Sequence, residues 1–281
     1  VVREVEEEAF RGVNLKEVIV PDTVVTIGDF AFSTSTLKIL SLGLKVKDMN
    51  RSAFLAASCE IYINENNPFF KFVGDVLYDM GEMSVVAYLG SGEKDSLVIM
   101  DGTKSIGTYA FRNAKIDKIY LPDTVECLKK YAFSYCTMRF LDMSHVKRME
   151  SWCLEECSNL QNICLGELSY LERRIGTAIC SCHSVKNVYI ENSINLGRNL
   201  IGFDKVQSVI VENGNSFISG YTENVNLKYL IVSDNCKEFS YEYIQQTPNL
   251  TKMYLPESIT TLSEDGGGGS YDSKIPYHKT T

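Results

Sequence analysis

The chain has 281 residues, 44% of them hydrophobic and 23% charged, with a formal net charge of −8. That apolar content builds a packed core and excludes a disordered chain. The acidic balance argues against a nucleic-acid partner, whose phosphates need clustered Lys and Arg. No apolar run reaches the roughly 18–20 residues that span a bilayer, so no membrane insertion is expected of this fragment.

In chain order, residues 1–14 read as the second half of a repeat, with Val2, Val5, Ala9 and Phe10 in its apolar phases. Val1 follows neither Met nor a signal peptide, which reads as an excised or mature form. Phe10, Phe32 and Phe54 lie 22 residues apart, each preceded by Ala. Repetition at that period marks a solenoid. Residues 15–36 and 37–58 are full repeats, and a strand around Ile61 and Ile63 starts another. From about residue 64 to 93 the period fails. There, an extended segment from Phe70 to Tyr78, a turn through Asp79-Met80-Gly81-Glu82 and a second extended segment from Met83 to Leu89 predict one β-hairpin insertion at an edge of the solenoid. It is either a spacer or cap, or a binding protrusion. The phrase resumes at Leu97 and runs through Ile116–Cys136 to Ile179. Beyond residue 185 only the strands and the step of 21–23 persist, which makes eleven strands in all.

The physical reason for stacking is that one such unit cannot bury its own apolar face. In IDKIYLPDTVECLKKYAFSYC (116–136), Ile119, Leu121, Val125, Leu128, Phe133 and Cys136 fit the core. Lys118 and Tyr120 alternate outward, and Pro122 ends the strand. Gly28 and Gly107 suit a close approach or a positive φ at the second corner. Phe32, Phe54, Phe111 and Phe133 are expected to form an aromatic column.

The pattern Leu15-Lys-Glu-Val-Ile-Val-Pro21 with Ile27-Gly28 and Ala31-Phe32, repeated at Ile106-Gly107 and Ala110-Phe111, resembles the BspA-type leucine-rich repeat of bacterial and protist surface proteins. The likeness covers about residues 1–262 and weakens after 185. It implies a leucine-rich-repeat solenoid: a curved parallel β-sheet, short helical or turn segments on the convex side, and the hairpin insertion. It also implies extracellular or cell-surface display and adhesion to a protein, with no catalytic residues to carry over.

Outward strand positions give two columns. One runs Ile19, Ser41, Tyr62, Val98, Tyr120, Asp142, Cys164, Tyr189, Ile210, Ile231, Tyr254. The other runs Glu17, Ile39, Glu60, Ser96, Lys118, Phe140, Asn162, Asn187, Ser208, Tyr229, Lys252. Tyr62, Tyr120, Phe140, Tyr189, Tyr229 and Tyr254 are the candidate partner-binding residues, because contiguous exposed apolar surface and Tyr mark interaction sites. The plainer alternative is that such residues simply suit strands. The same face also suits a homodimer, or a spacer array with no dedicated ligand.

Nine cysteines cannot all pair within one chain. Cys136, Cys157 and Cys182 share one small inward slot and read as buried thiols. An inter-coil disulfide or a metal site is the alternative for them, although Cys153/Cys157 and Cys180/Cys182/His183 lack zinc-ligand spacing. No catalytic motif, cofactor loop or metal set is found among the three His and the scattered acids, so the chain is read as non-enzymatic. After Leu262 come a Gly-rich linker (263–270) and the tail Tyr271–Thr281. The linker has the form of an engineered flexible joint. The tail is therefore a tethered peptide ligand anchored by Tyr271, Ile275 and Tyr277, or a tag, or a natural extension.

Overall fold

The computed structural model describes residues 1–33, 35–55, 59–166, 170–171, 178–179, 181–191, 206–212, 226–232, 238–240 and 248–263. The fold is a parallel β-solenoid. Its front ladder contains eleven strands in two sheets. Three strands, Glu17–Ile19, Ile39–Leu42 and Glu60–Ile63, form the first sheet. Eight form the second: Lys94–Val98, Ile116–Tyr120, Phe140–Met143, Asn162–Leu165, Asn187–Glu191, Ser208–Glu212, Tyr229–Val232 and Lys252–Tyr254. Within each sheet, every strand pairs in parallel with the next of these in sequence.

The recurring phrase explains the first corner. Val24, Val125 and Ile259 each donate a backbone N–H to the carbonyl of the proline three residues earlier, at 3.0, 2.9 and 3.3 Å. Between them, the Thr124 hydroxyl reaches back one coil to the Thr103 carbonyl at 2.8 Å. Proline supplies a preset φ, and its missing donor falls where the strand has ended.

The opposite side carries more strand than the expected helical or turn segments. Ser105–Ile106, Cys127–Leu128, Arg148–Met149 and Tyr170–Leu171 form a second parallel ladder, and helix is almost absent among the described residues. Gly28 and Gly107 serve close approach and not a positive φ. A Cβ on Gly107 would sit 2.5 Å from the Val85 carbonyl oxygen of the preceding coil, and one on Gly28 would sit 2.6 Å from the Glu7 nitrogen.

Positive φ instead falls on side-chain-bearing residues, in pairs four apart: Tyr109 and Asn113, Tyr131 and Tyr135, Trp152 and Glu156. The alternation turns every second N–H along the solenoid axis. Tyr109, Phe111 and Asn113 donate to the carbonyls of Lys130, Ala132 and Ser134 on the next coil, at 3.1, 2.7 and 3.0 Å. The N–H groups between them close i−3 turns, such as Ala110 to Gly107 at 3.1 Å. The turn region thereby leaves few buried donors unpaired.

The insertion differs from the edge hairpin expected of it. Its first extended segment is two strands, Phe70–Val73 and Val76–Asp79, folded back at Gly74-Asp75. Ser84–Tyr88 pairs antiparallel with the second and parallel with Ser105–Ile106. The resulting meander stands between two hydrophobic cores and packs on both. Leu77, Val86 and Ala87 join the N-terminal core, whereas Val76, Tyr78, Val85 and Tyr88 join the C-terminal one. Two apolar faces explain why Val85-Val86-Ala87-Tyr88 shows no alternation.

Tyr88 also enters the aromatic column, stacked on Phe111 at 5.7 Å, with Phe133 following at 5.2 Å. Phe32 is stacked instead on Phe10 at 5.4 Å. Asn67 pins the start of the meander and is almost fully buried. Its amide donates to the carbonyls of Gly43 and Val46 at 2.9 and 3.0 Å, and its oxygen accepts from the N–H groups of Phe69 and Phe70 at 2.8 and 3.2 Å. All four hydrogen-bonding positions of that amide are used.

Candidate interaction face

Parallel pairing without slippage sets the outward residues in register. Asp142, Cys164, Tyr189, Ile210, Ile231 and Tyr254 are successive Cα partners across six strands. Beside them run Ser96, Lys118, Phe140, Asn162, Asn187, Ser208, Tyr229 and Lys252. Tyr120 and Tyr254 are each 51% exposed, Phe140 is 38% and Tyr229 is 39%. Tyr189 is half-buried between its column neighbours. The structure therefore brings five of the six candidate tyrosine and phenylalanine residues onto one sheet.

Charge is distributed unevenly along that sheet. Lys118 and Asp142 lie toward one end and Lys252 at the other. Between them, the two columns at Asn162, Cys164, Asn187, Tyr189, Ser208, Ile210, Tyr229 and Ile231 carry no charge, and the register partners Glu191 and Glu212 follow at the strand ends. The Asn187 amide donates to Asn162 Oδ1 at 2.6 Å. An uncharged centre with aromatic residues and a charged rim is the composition of a protein-interface core.

Tyr62 lies elsewhere, in the three-stranded sheet, opposite Ser41 and Ile19. Its hydroxyl donates to Glu60 Oε2 at 2.7 Å, and that bond to a carboxylate raises the phenol's pKa. A shallow groove of about 290 Å³, lined by Ile19, Ser41, Gly43, Tyr62 and Asn64 among others, runs along this face. Tyr271, Ile275 and Tyr277, with the rest of the tail, lie outside the described residues.

A flank that the strand phrase did not point to carries a second aromatic series. Tyr109, Tyr131 and Trp152 stack at 4.7 and 5.4 Å, nearly parallel. The Arg112 guanidinium lies 4.6 Å from the Tyr135 ring centroid and 5.6 Å from that of Tyr109. These rings sit two residues past the Gly28/Gly107 position of each coil. Phe30, Tyr109, Tyr131 and Trp152 in one repeat phase were the available signal.

None of the seven described cysteines is in a disulfide. Cys136, Cys157 and Cys182 are buried in their shared slot, and Cys164 is half-buried on the front face. Burial raises the pKa of the Cys136 and Cys153 thiols. Among the described residues no group of three His, Cys, Asp or Glu is placed to hold a metal ion, and no helix is long and apolar enough to cross a membrane.

The BspA-type leucine-rich repeat model matches residues 1–73, 83–203 and 180–266 in six copies. The chain belongs to that family. Among solved structures, this repeat protein is similar to a leucine-rich repeat protein from Eubacterium ventriosum, with a TM-score of 0.62 and 20% identity over 97% of this chain and 71% of that one. It is also similar to the pneumococcal vaccine antigen PcpA, with a TM-score of 0.56 and 16% identity over 91% and 71%. A leucine-rich repeat protein from Bacteroides ovatus gives 0.58 and 15% over 93% and 66%. At these identities the likeness is one of fold. A comparison with curated protein sequences finds no match.

Proposed function

We propose that this repeat protein is a non-catalytic, surface-displayed module that binds a protein partner through the eight-stranded sheet, in adhesion or host interaction. The observation that carries the reading is the uncharged run from Asn162 to Ile231, bounded by exposed Phe140 and Tyr120 on one side and Tyr254 on the other. Exposed aromatic area in register across several strands is what an interface core requires and what a merely solvated face lacks. Membership of the BspA-type family and a fold shared with a pneumococcal vaccine antigen support the surface location.

The test is binding of the intact chain to immobilised extracellular-matrix proteins, compared with a Tyr120→Glu/Tyr229→Glu double variant. Binding that survives both substitutions refutes this face. A chain that binds none of them, but dimerises with concentration in light scattering until Tyr120 is changed to Glu, supports the self-associating array instead.

The glycine linker favours a second occupant, the chain's own Tyr271–Thr281. With Lys274 and Lys279 it suits an acidic receptor, and the eight residues 263–270 reach ~27 Å when extended. Free peptide of that sequence, titrated by calorimetry into a chain ending at Ser263, produces binding heat under this reading. Absence of heat refutes the tail as ligand and leaves the face to the matrix assay.

A further inference from the structure

Cys136, Cys157 and Cys182 occupy the same slot on three successive coils. Each thiol donates backward to the large residue of the preceding coil: Cys136 Sγ to the Phe111 carbonyl at 2.9 Å, Cys157 Sγ to Phe133 at 3.1 Å and Cys182 Sγ to Leu154 at 2.7 Å. The slot is in register from coil to coil, because Phe111, Phe133 and Leu154 donate their N–H groups to Ala132, Cys153 and Ala178 of the following coil. Parallel neighbours are spaced ~4.8 Å, within the ~4.4–6.8 Å between Cα atoms that a disulfide spans. Cys182 is thus the slot neighbour of Cys157 on the following coil. Cys153, the other buried thiol of these coils, is turned to a different acceptor, the Ala178 carbonyl at 3.6 Å.

We propose that Cys157 and Cys182 form an oxidisable pair that closes into a disulfide between adjacent coils. Cys182 is the less enclosed of the two, 9% exposed against 0%, so it is the one that meets a small disulfide oxidant such as oxidised glutathione. Its thiolate attacks one glutathione sulfur, forming a mixed disulfide and releasing one glutathione thiol. The Cys157 thiolate then attacks the Cys182 sulfur and releases the second glutathione. The two cysteines lose two electrons, the oxidant gains them, and the two thiol protons pass to solvent and the leaving thiols. Losing the Cys157 S–H does not orphan its acceptor, because the Phe133 carbonyl also accepts the Cys136 N–H at 3.2 Å. The hydrogen bond to Cys182 and then burial raise the Cys157 pKa. The closing step needs the Cys157 thiolate and therefore quickens as pH rises.

The test uses the intact chain incubated with oxidised glutathione at neutral and at mildly alkaline pH, followed by alkylation of free thiols and peptide mapping under non-reducing conditions. The expected result is a Cys157–Cys182 linked peptide lighter by two hydrogens, formed faster at the higher pH. It should be accompanied by a thermal midpoint raised by about 5–10 °C, and both changes should reverse with dithiothreitol. Cys157→Ser should stop at a glutathione adduct on Cys182, and Cys136→Ser should leave the linked peptide in place. Recovery of Cys157 and Cys182 as alkylated thiols at both pH values overturns the proposal, as does a link from either to Cys136 or Cys153. Both readouts come from the unsubstituted chain, so they hold even if a variant fails to fold.

Discussion

The two blocks on either side of the meander are built alike inside and differ on the surface. In residues 17–63 the front face sets Glu17 and Glu60 beside Ile19 and Tyr62. In the eight-stranded block the two outward columns carry no charge across four consecutive strands, from Asn162 and Cys164 to Tyr229 and Ile231. Inside, both blocks use the same Ala-Phe column, the same proline corner and the same close glycine approach. Inward positions keep the solenoid in both blocks. Outward positions are free to diverge, and the proposed interaction face lies among them. The meander enforces the division by giving each block its own core.

That comparison can be broken from the inside. Phe133→Ala removes a fully buried ring from the C-terminal column and should cost about 3–5 kcal/mol in urea unfolding. Its hydrogen-exchange losses should concentrate in residues 94–166. Asn67→Ala is the complementary cut. It leaves two carbonyls and two N–H groups without their buried partner, at about 3 kcal/mol. Exchange should then quicken in residues 17–73 and stay unchanged in 94–166. Equal loosening of both blocks by either substitution would show one cooperative core.

Substitutions on the surface sharpen the same contrast. Tyr229→Glu should weaken partner binding at least tenfold, as loss of an interface aromatic does, while moving stability by less than about 0.5 kcal/mol. The smallest effect is at Tyr62. Glu60 holds its phenol above the usual range, so a spectrophotometric titration of Glu60→Gln should show that midpoint falling. The sign follows from linkage: a group whose folded pKa is raised stabilises the fold below its ordinary range and loses that contribution as pH rises through the folded value.

Front strands were legible because each carries an alternating phrase at a step near 22 residues, closed by proline at Pro21, Pro122 and Pro256, and in-register stacking then places Tyr120, Phe140, Tyr229 and Tyr254 from sequence spacing alone. Tyr88 was not legible as a member of the aromatic column, since Tyr replaces Phe there and the surrounding run is apolar on both faces. The second ladder was hidden for a related reason: strands of two residues, such as Ser105–Ile106 and Cys127–Leu128, are too short to show a period. The positive-φ positions escaped because Tyr109, Tyr131 and Trp152 occupy a conformation usually signalled by Gly or Asn. Asn67 looked like any loop asparagine until four backbone groups were seen to converge on it.

The central claim is that the uncharged strip of the eight-stranded sheet, and not the face around Tyr62, carries the interaction. Surface binding of the intact chain to immobilised matrix proteins, run side by side for Tyr62→Glu and Tyr229→Glu, tests it most directly. Affinity should fall at least tenfold for Tyr229→Glu and hold for Tyr62→Glu. Equal losses, or a loss confined to Tyr62→Glu, would contradict the account.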